Sequence, residues 1–340
     1  MINGHGDEYV GELVANFSSN VWYGADNSAL YKHLYSQMYT IERYPDTEAR
    51  SLKQRLAEKN QVATNQLLIC NGSTEAFYLI ANTFSGSQSL IVSPTFSEYA
   101  DACRMYNHNV RHTDCKNLNT DIETLKPNLV WICNPNNPDG NCFETTKIIQ
   151  LLTNYPDSIF VIDQAYIHFT QREICVVNEI QKHPNLIIVQ SLTKRYAIPG
   201  LRLGYLMVPE IIVDRMNKFR MPWSVNSLAI EAGKFILGNN NDEFQLQDWL
   251  CECDTLRIQI DSFECFKCVP GVTPYFLVKL NNGKASDLKA FLLSHKILVR
   301  QATNFEGLEG EHIRVCTLSK EKNDLLINKL NEWSRSVTQL

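Results

Sequence analysis

Ser191-Leu192-Thr193-Lys194-Arg195-Tyr196-Ala197-Ile198-Pro199-Gly200-Leu201-Arg202 is the stretch from which the rest of the chain is read. It follows the apolar run Leu186 to Val189, which has the length and composition of a buried strand. A lysine just past such a strand can be desolvated enough to act as an amine nucleophile toward a carbonyl carbon. Further along, Arg202 offers a forked, permanently charged donor suited to a phosphate, and Ser191 adds a hydroxyl. An aldehyde-reactive amine beside a phosphate clamp points to pyridoxal phosphate. Taken alone, the segment is also what a solvated surface lysine after a strand looks like. The decision therefore rests on what falls at the other strand ends.

Apolar runs recur at Leu67 to Cys70, Leu90 to Val92, Leu129 to Cys133, Ile159 to Ile162 and Leu203 to Val208. Between them lie stretches with helical spacing, among them Ser73 to Thr83 and Thr145 to Leu152. Buried strands alternating with helices predict an α/β fold with a mainly parallel sheet covered on both faces. Ligands in such sheets bind beyond the carboxyl ends of the strands. Beyond Asn239 the texture becomes α+β: a helix over Glu243 to Ile260, strands at Phe276–Lys279, Ile297–Arg300 and His312–Val315, and a last helix from Lys320 to Arg335. This predicts an arm over residues 1–30 that joins a small domain over 239–340, with a large domain over 31–238 between them.

With 340 residues, 44% hydrophobic and 20% charged, the chain has the composition of a globular protein long enough for one large and one smaller core. A formal net charge of −5 and the lack of a basic stripe argue against a nucleic-acid partner. No apolar h-region opens the chain and no stretch has the length of a membrane span, so a cytoplasmic location without membrane contact is expected. The 11 cysteines are scattered, and Cys251-x-Cys253 and Cys265-x-x-Cys268 lack further ligands at zinc-finger spacing. They read as reduced thiols, with no metal expected.

Candidate site residues fall repeatedly just past strands. Gly72-Ser73-Thr74 opens a helix, where N–H groups, hydroxyls and the helix dipole suit a phosphate; an ordinary N-cap is the plainer reading. Phe96 is placed to lie on a pyridine ring or simply to fill core. Asn134-Pro135-Asn136-Asn137-Pro138-Asp139-Gly140 is dense in turn formers, and Asn137 is its candidate donor to a phenolic oxygen. Asp163, closing the run Phe160-Val161-Ile162, is suited to hold a pyridinium nitrogen protonated, and Tyr166 to reach the same phenolic oxygen. A carboxylate at a buried strand end is costly without a cationic partner.

In this order, Gly72-Ser73-Thr74, Phe96, Asn137, Asp163, Tyr166, Ser191, Lys194 and Arg202 resemble the fold-type I pyridoxal-phosphate enzymes of the class I/II aminotransferase family over nearly the whole chain. The resemblance implies a mainly parallel seven-stranded sheet in the large domain and a smaller α+β domain. It implies that Lys194 bonds covalently to the cofactor, that Asp163 pairs with its ring nitrogen, and that Asn137 and Tyr166 contact O3′. Ser73, Thr74, Ser191 and Arg202 would hold its phosphate. Tyr44, in Arg43-Tyr44-Pro45-Asp46, matches a tyrosine that reaches that phosphate from a neighbouring subunit, implying a homodimer with a shared active site.

Two branches of the family compete, aminotransferases of histidinol phosphate and decarboxylases of threonine phosphate. Gly4-His5-Gly6-Asp7, Phe17-Ser18-Ser19-Asn20, the segment Ala197 to Tyr205 and the segment Val299 to Leu308 look like the decarboxylase branch. By that resemblance Arg314 would bind the α-carboxylate of a small phosphorylated amino acid, with His5, Asn20 and Arg300 lining the substrate or its phosphate. The implied reaction is decarboxylation of L-threonine O-3-phosphate for the cobalamin side chain. A non-catalytic sensor module is the alternative from another class. One departure stands out: Gln164 occupies the position after the aspartate where relatives usually have Glu.

Overall fold

The computed structural model describes Tyr9, residues 11–239 and residues 244–338. Its first eight strands are β1 (Ala15–Asn16), β2 (Leu67–Cys70), β3 (Gln88–Val92), β4 (Asn109–Thr113), β5 (Leu129–Cys133), β6 (Ile159–Asp163), β7 (Leu186–Ser191) and β8 (Gly204–Met207). All but β1 form one seven-stranded sheet in the order β2-β8-β7-β6-β5-β3-β4. Pairings from β4 through β7 are parallel, whereas β8 runs antiparallel to both β7 and β2. The expected mainly parallel α/β sheet is present.

Burial on both faces explains why these strands read as continuous apolar runs. All five residues of β5 are buried, and they alternate between two cores: Leu129, Trp131 and Cys133 face one, Val130 and Ile132 the other. Helices Gly72–Thr83 and Glu98–Met105 cover the first face with Ala76, Phe77, Tyr99 and Cys103. Helices Arg50–Asn60, Thr145–Asn154 and Ser227–Gly238 cover the second with Leu52, Leu56, Ile148, Leu151 and Ala229. Each fully buried aliphatic or aromatic side chain contributes about 1.5–3 kcal/mol through removal of its surface from water. Strand β4 was not expected, because Asn109-Val110-Arg111-His112-Thr113 lies at the sheet edge, where charged and polar residues are tolerated and protect against further pairing.

The remaining strands are β9 (Phe266–Cys268), β10 (Tyr275–Leu280), β11 (Ile297–Leu298), β12 (Arg300–Gln301) and β13 (His312–Cys316). An antiparallel sheet has the order β12-β13-β10-β9, and β1 pairs in parallel with β11. The single strand expected over Ile297–Arg300 is thus two. The chain leaves the β1 ladder at Leu298 and joins β13 at Arg300, which delivers the Arg300 side chain to the neighbourhood of Arg314, its partner in register. Cys253, Cys265 and Cys268 belong to the core beneath this sheet. Among the described residues, no His/Cys/Asp/Glu group is arranged to hold a metal ion, and no helix is long and apolar enough to cross a membrane. The helix expected from Glu243 begins at Leu246, and Glu243 itself lies outside the described residues.

Two glycines let β8 and the helix after β2 meet. Gly72 has φ +80°, and a Cβ there would lie 2.5 Å from the Arg202 guanidinium. At Gly204 a Cβ would fall 2.6 Å from the Ser73 amide nitrogen and 2.8 Å from the Gly72 carbonyl carbon, both backbone atoms. We therefore expect Gly204→Ala to force the strand and helix apart and to destabilise the fold by about 1–3 kcal/mol, measured by urea denaturation.

Candidate active site

The carboxyl ends of the strands open on one cavity of about 470 Å³, within the range typical of small-molecule sites. Asn20, Ser73, Thr74, Phe96, Asn137, Asp163, Tyr166, Ser191, Lys194, Arg202, Arg300 and Arg314 all line it. Gly72 lies directly behind Arg202. Tyr44 is elsewhere: it is 83% exposed and packs against Trp223 with ring centroids 5.2 Å apart. His5 lies outside the described residues.

Asp163 ends β6 with its carboxyl group buried. Oδ1 accepts from the Ala165 N–H at 2.9 Å and Oδ2 from the Tyr99 hydroxyl at 2.5 Å. Burial raises its pKa to about 6, against the pull of these donors and of Lys194. The Lys194 amine stands 5.9 Å from the centroid of the Tyr166 ring, and the Trp22 N–H binds the Lys194 carbonyl at 3.0 Å, tying the amino-terminal segment to the lysine turn. Burial likewise pushes the Tyr166 hydroxyl well above the ordinary tyrosine range, so it acts as a neutral hydrogen-bonding group.

Anion-seeking groups line the rest of the wall. Ser73 and Thr74 begin the helix Gly72–Thr83, whose dipole and first N–H groups favour negative charge. Ser191 Oγ and Thr193 Oγ1 are 2.8 Å apart. Arg202, in the left-handed region at φ 55°, is anchored by Nη1 donating to the Pro199 carbonyl at 3.1 Å. Arg314 is buried and donates to the Asn137 Oδ1 and the Ser18 carbonyl, both uncharged, while its Nε has no partner among the described residues. A buried guanidinium with only neutral partners is poorly compensated and favours an anion. With its oxygen taken by Arg314, the Asn137 amide has its NH₂ donors left to offer.

Ser18, Ser19, Asn304 and Phe305 lie on this wall within segments already singled out in the sequence, whereas Ser97, Glu98, Tyr99 and Cys133 carry no mark as site residues there. Tyr99 lies on a helix whose spacing reads as plain core, and Arg300 donates to Asn304 Oδ1 at 3.1 Å only because β12 turns the chain there. The unusual Gln164 also finds its reason. It is fully buried, donates to the Ile174 carbonyl at 2.8 Å and accepts from Gln190, whose own oxygen accepts from the Tyr205 hydroxyl at 2.5 Å. A glutamate would put a carboxylate against the Ile174 carbonyl oxygen.

The donors present fit pyridoxal phosphate: a helix start, hydroxyls and an arginine for a phosphate, a buried carboxylate for a ring nitrogen, and an amine for an aldehyde. Fold and constellation define a pyridoxal-phosphate-dependent enzyme of fold type I. Comparison with known proteins narrows the class. The family described as aminotransferase class I and II matches residues 14–330, and the chain belongs to that family, whose cofactor is pyridoxal 5′-phosphate. Threonine-phosphate decarboxylase of Salmonella typhimurium is 32% identical over 332 residues, covering 94% of this chain and 91% of that one. Histidinol-phosphate aminotransferase of Thermoanaerobacter pseudethanolicus is 32% identical over 303 residues, covering 86% and 84%. The crystal structure of L-threonine-O-3-phosphate decarboxylase from Porphyromonas gingivalis superposes with a TM-score of 0.91 at 38% identity, covering 94% of this chain and 99% of that one.

The Gln164 network generates a test. Burial raises the pKa of a carboxyl group placed there, so Gln164→Glu should be tolerated while protonated and lose stability as pH rises through that raised pKa. We expect a loss of about 2 kcal/mol or more at pH 8 and a smaller one at pH 5, read from urea unfolding at the two values.

Proposed function

We propose that the protein decarboxylates L-threonine O-3-phosphate, releasing carbon dioxide and (R)-1-amino-2-propanol O-2-phosphate for the cobalamin side chain. The observation that carries this reading is Arg314, a buried guanidinium with neutral partners, one β-ladder step from Arg300 in the same cavity. Two arginines beyond the one assigned to the cofactor match a substrate with both a carboxylate and a phosphate. The overlap with the Porphyromonas gingivalis decarboxylase along nearly its whole length supports the same assignment.

In this reading Ser73, Thr74, Ser191 and Arg202 hold the cofactor phosphate, Asp163 holds the proton on the ring nitrogen, and Asn137 and Tyr166 face O3′. Gly72 keeps the space behind Arg202 open, and Phe96 lies on the ring. Pyridoxal phosphate, when bound, supplies an electron sink for the pair left when a bond to the α-carbon breaks. Arg314 binds the α-carboxylate that leaves as carbon dioxide, while Arg300, with Asn20 and His5, binds the substrate phosphate. The Lys194 amine would hold the proton that replaces the lost carboxylate on the α-carbon. The eleven cysteines, all free thiols, suit a reducing cytoplasm. Separate cores beneath the two large sheets support an arm over 1–30, a large domain over 31–238 and a small domain over 239–340.

The test is to supply the holoenzyme with threonine phosphate, following carbon dioxide, and with histidinol phosphate plus 2-oxoglutarate, following keto acid. Carbon dioxide from threonine phosphate is expected, with plain threonine a poor substrate. Arg300→Ala should raise KM for threonine phosphate by on the order of thirtyfold or more and narrow its advantage over threonine. Transamination of histidinol phosphate without carbon dioxide release would instead establish the aminotransferase reading, which the Thermoanaerobacter relative supports.

We further propose a homodimer in which Tyr44 reaches the cofactor phosphate of the neighbouring subunit. Tyr44 is exposed and does not line the cavity of its own subunit, and Tyr31, Tyr35, Tyr39 and Ile41 on the same stretch are each more than 60% exposed. Mixing Tyr44→Phe subunits with Lys194→Ala subunits should recover activity in heterodimers. No recovery after verified subunit exchange would place Tyr44 outside the site.

A further inference from the structure

Tyr99 is 1% exposed, and its ring is fixed on several sides: stacked on Trp131 at 5.6 Å and edge-on to Phe77 at 4.8 Å and to Phe96 at 5.9 Å. A phenylalanine would serve that packing as well, and a buried hydroxyl is costly unless it is bonded. Its bond goes to Asp163 Oδ2 at 2.5 Å. We infer that Tyr99 is a positioning residue for the reaction: its hydroxyl fixes the Asp163 carboxylate and keeps it ionised toward the cofactor ring nitrogen. The inference rests on the assignment of Asp163 to that nitrogen.

The groups that face Asp163 make the hydroxyl hard to replace. The Ala165 N–H takes the other oxygen at 2.9 Å. Lys194, from the turn after β7, favours the ionised carboxylate by its charge, and its amine is assigned to the cofactor and substrate. Cys133, at the end of β5, and Tyr166, on the segment after β6, are neutral groups whose own ionisation Asp163 opposes. Trp131, the aromatic beneath Tyr99, directs its N–H to Ser89 Oγ at 3.3 Å. Tyr99 is therefore a side chain that stabilises the charged form of Asp163 by direct donation. Without it, Oδ2 loses that donor in a dry site, and the carboxyl group retains its proton to higher pH.

In Tyr99→Phe holoenzyme we expect the Kd for pyridoxal phosphate to rise roughly tenfold, as for loss of one hydrogen bond to a charged group. The acid limb of the kcat/KM profile should move to higher pH by about one unit. In an Asp163→Asn background the same change should alter Kd by less than about twofold, because the carboxylate through which Tyr99 acts is gone. A ring-fluorinated tyrosine at this position, a stronger donor of almost the same shape, should move the acid limb to lower pH and guards against misfolding of the phenylalanine variant. An unmoved acid limb in both variants, or a full Kd effect of Tyr99→Phe in the Asp163→Asn background, overturns the inference for Tyr99 alone. If Asp163→Asn itself leaves Kd unchanged, the assignment of Asp163 fails and the role of Tyr99 fails with it.

Discussion

A carboxylate kept from water at the end of β6 sets the terms for the site around it. With its pKa raised to about 6, Asp163 is mostly ionised at neutral pH, but only at a cost on the order of 3 kcal/mol relative to an exposed aspartate. The sign follows from the raised value. The protonated form is favoured in the fold, so the cost is relieved as pH falls through the folded pKa and is present in full above it. In the proposed assignment a cationic ring nitrogen brought against the carboxylate would offset that cost and so couple cofactor binding to stability. The donors on its two oxygens, Tyr99 and Ala165, reduce the cost without removing it.

Sheet topology brings the other groups to the same place. Parallel pairing from β3 through β7 puts the carboxyl ends of these strands on one edge, so Phe96, Asn137, Asp163, Ser191 and Lys194 emerge together although far apart in sequence. The antiparallel β8 matters as much. It begins beside the end of β7, with Gly204 paired to Ser191, so Arg202, just before β8, enters from the same edge. Strand β2 pairs with β8 in turn, Cys70 against Gly204, and delivers the helix start at Gly72. The phosphate-seeking groups are thus assembled by one register, which the close backbone contact of Gly204 with Gly72 and Ser73 helps to fix.

Much of this was legible because parallel strands buried on both faces leave an unambiguous apolar signature, as in Leu129 to Cys133. Turn and polar residues immediately after such runs then stand out as candidate ligands, and they line one cavity. The same logic explains the failures. Asn109–Thr113 forms an edge strand through backbone pairing that its polar side chains do not announce, and Phe266–Cys268 is too short to show a period. The break at Val299 depends on which neighbour each residue pairs with, a tertiary fact. Tyr99 is hidden for a different reason: on an amphipathic helix a tyrosine and a phenylalanine carry the same packing signal, and only the position of Asp163 across the interface gives its hydroxyl a purpose. Gln164 shows the converse, since a departure that looks like altered chemistry beside the cofactor belongs to a neutral amide network.

Charge is distributed unevenly between the molecule and its cavity. The chain as a whole carries a formal charge of −5, yet the cavity wall gathers Lys194, Arg202, Arg300 and Arg314 against Asp163 and Glu98. In a concave, partly desolvated site such an excess acts over longer distances than it would on an open surface, concentrating anions and discriminating by their number of charges. In the proposed assignment a cofactor phosphate takes Arg202 and the helix start, which leaves Arg300 and Arg314. The buried Arg314, with neutral partners on two nitrogens and none on Nε among the described residues, would gain most from a carboxylate that can satisfy two donors at once. Arg300, half-exposed and steadied by Asn304, can follow a bulkier and more hydrated phosphate. The two arginines thus differ in burial in the way that a carboxylate and a phosphate differ in hydration, and in the proposed reading that difference would orient a substrate bearing one of each.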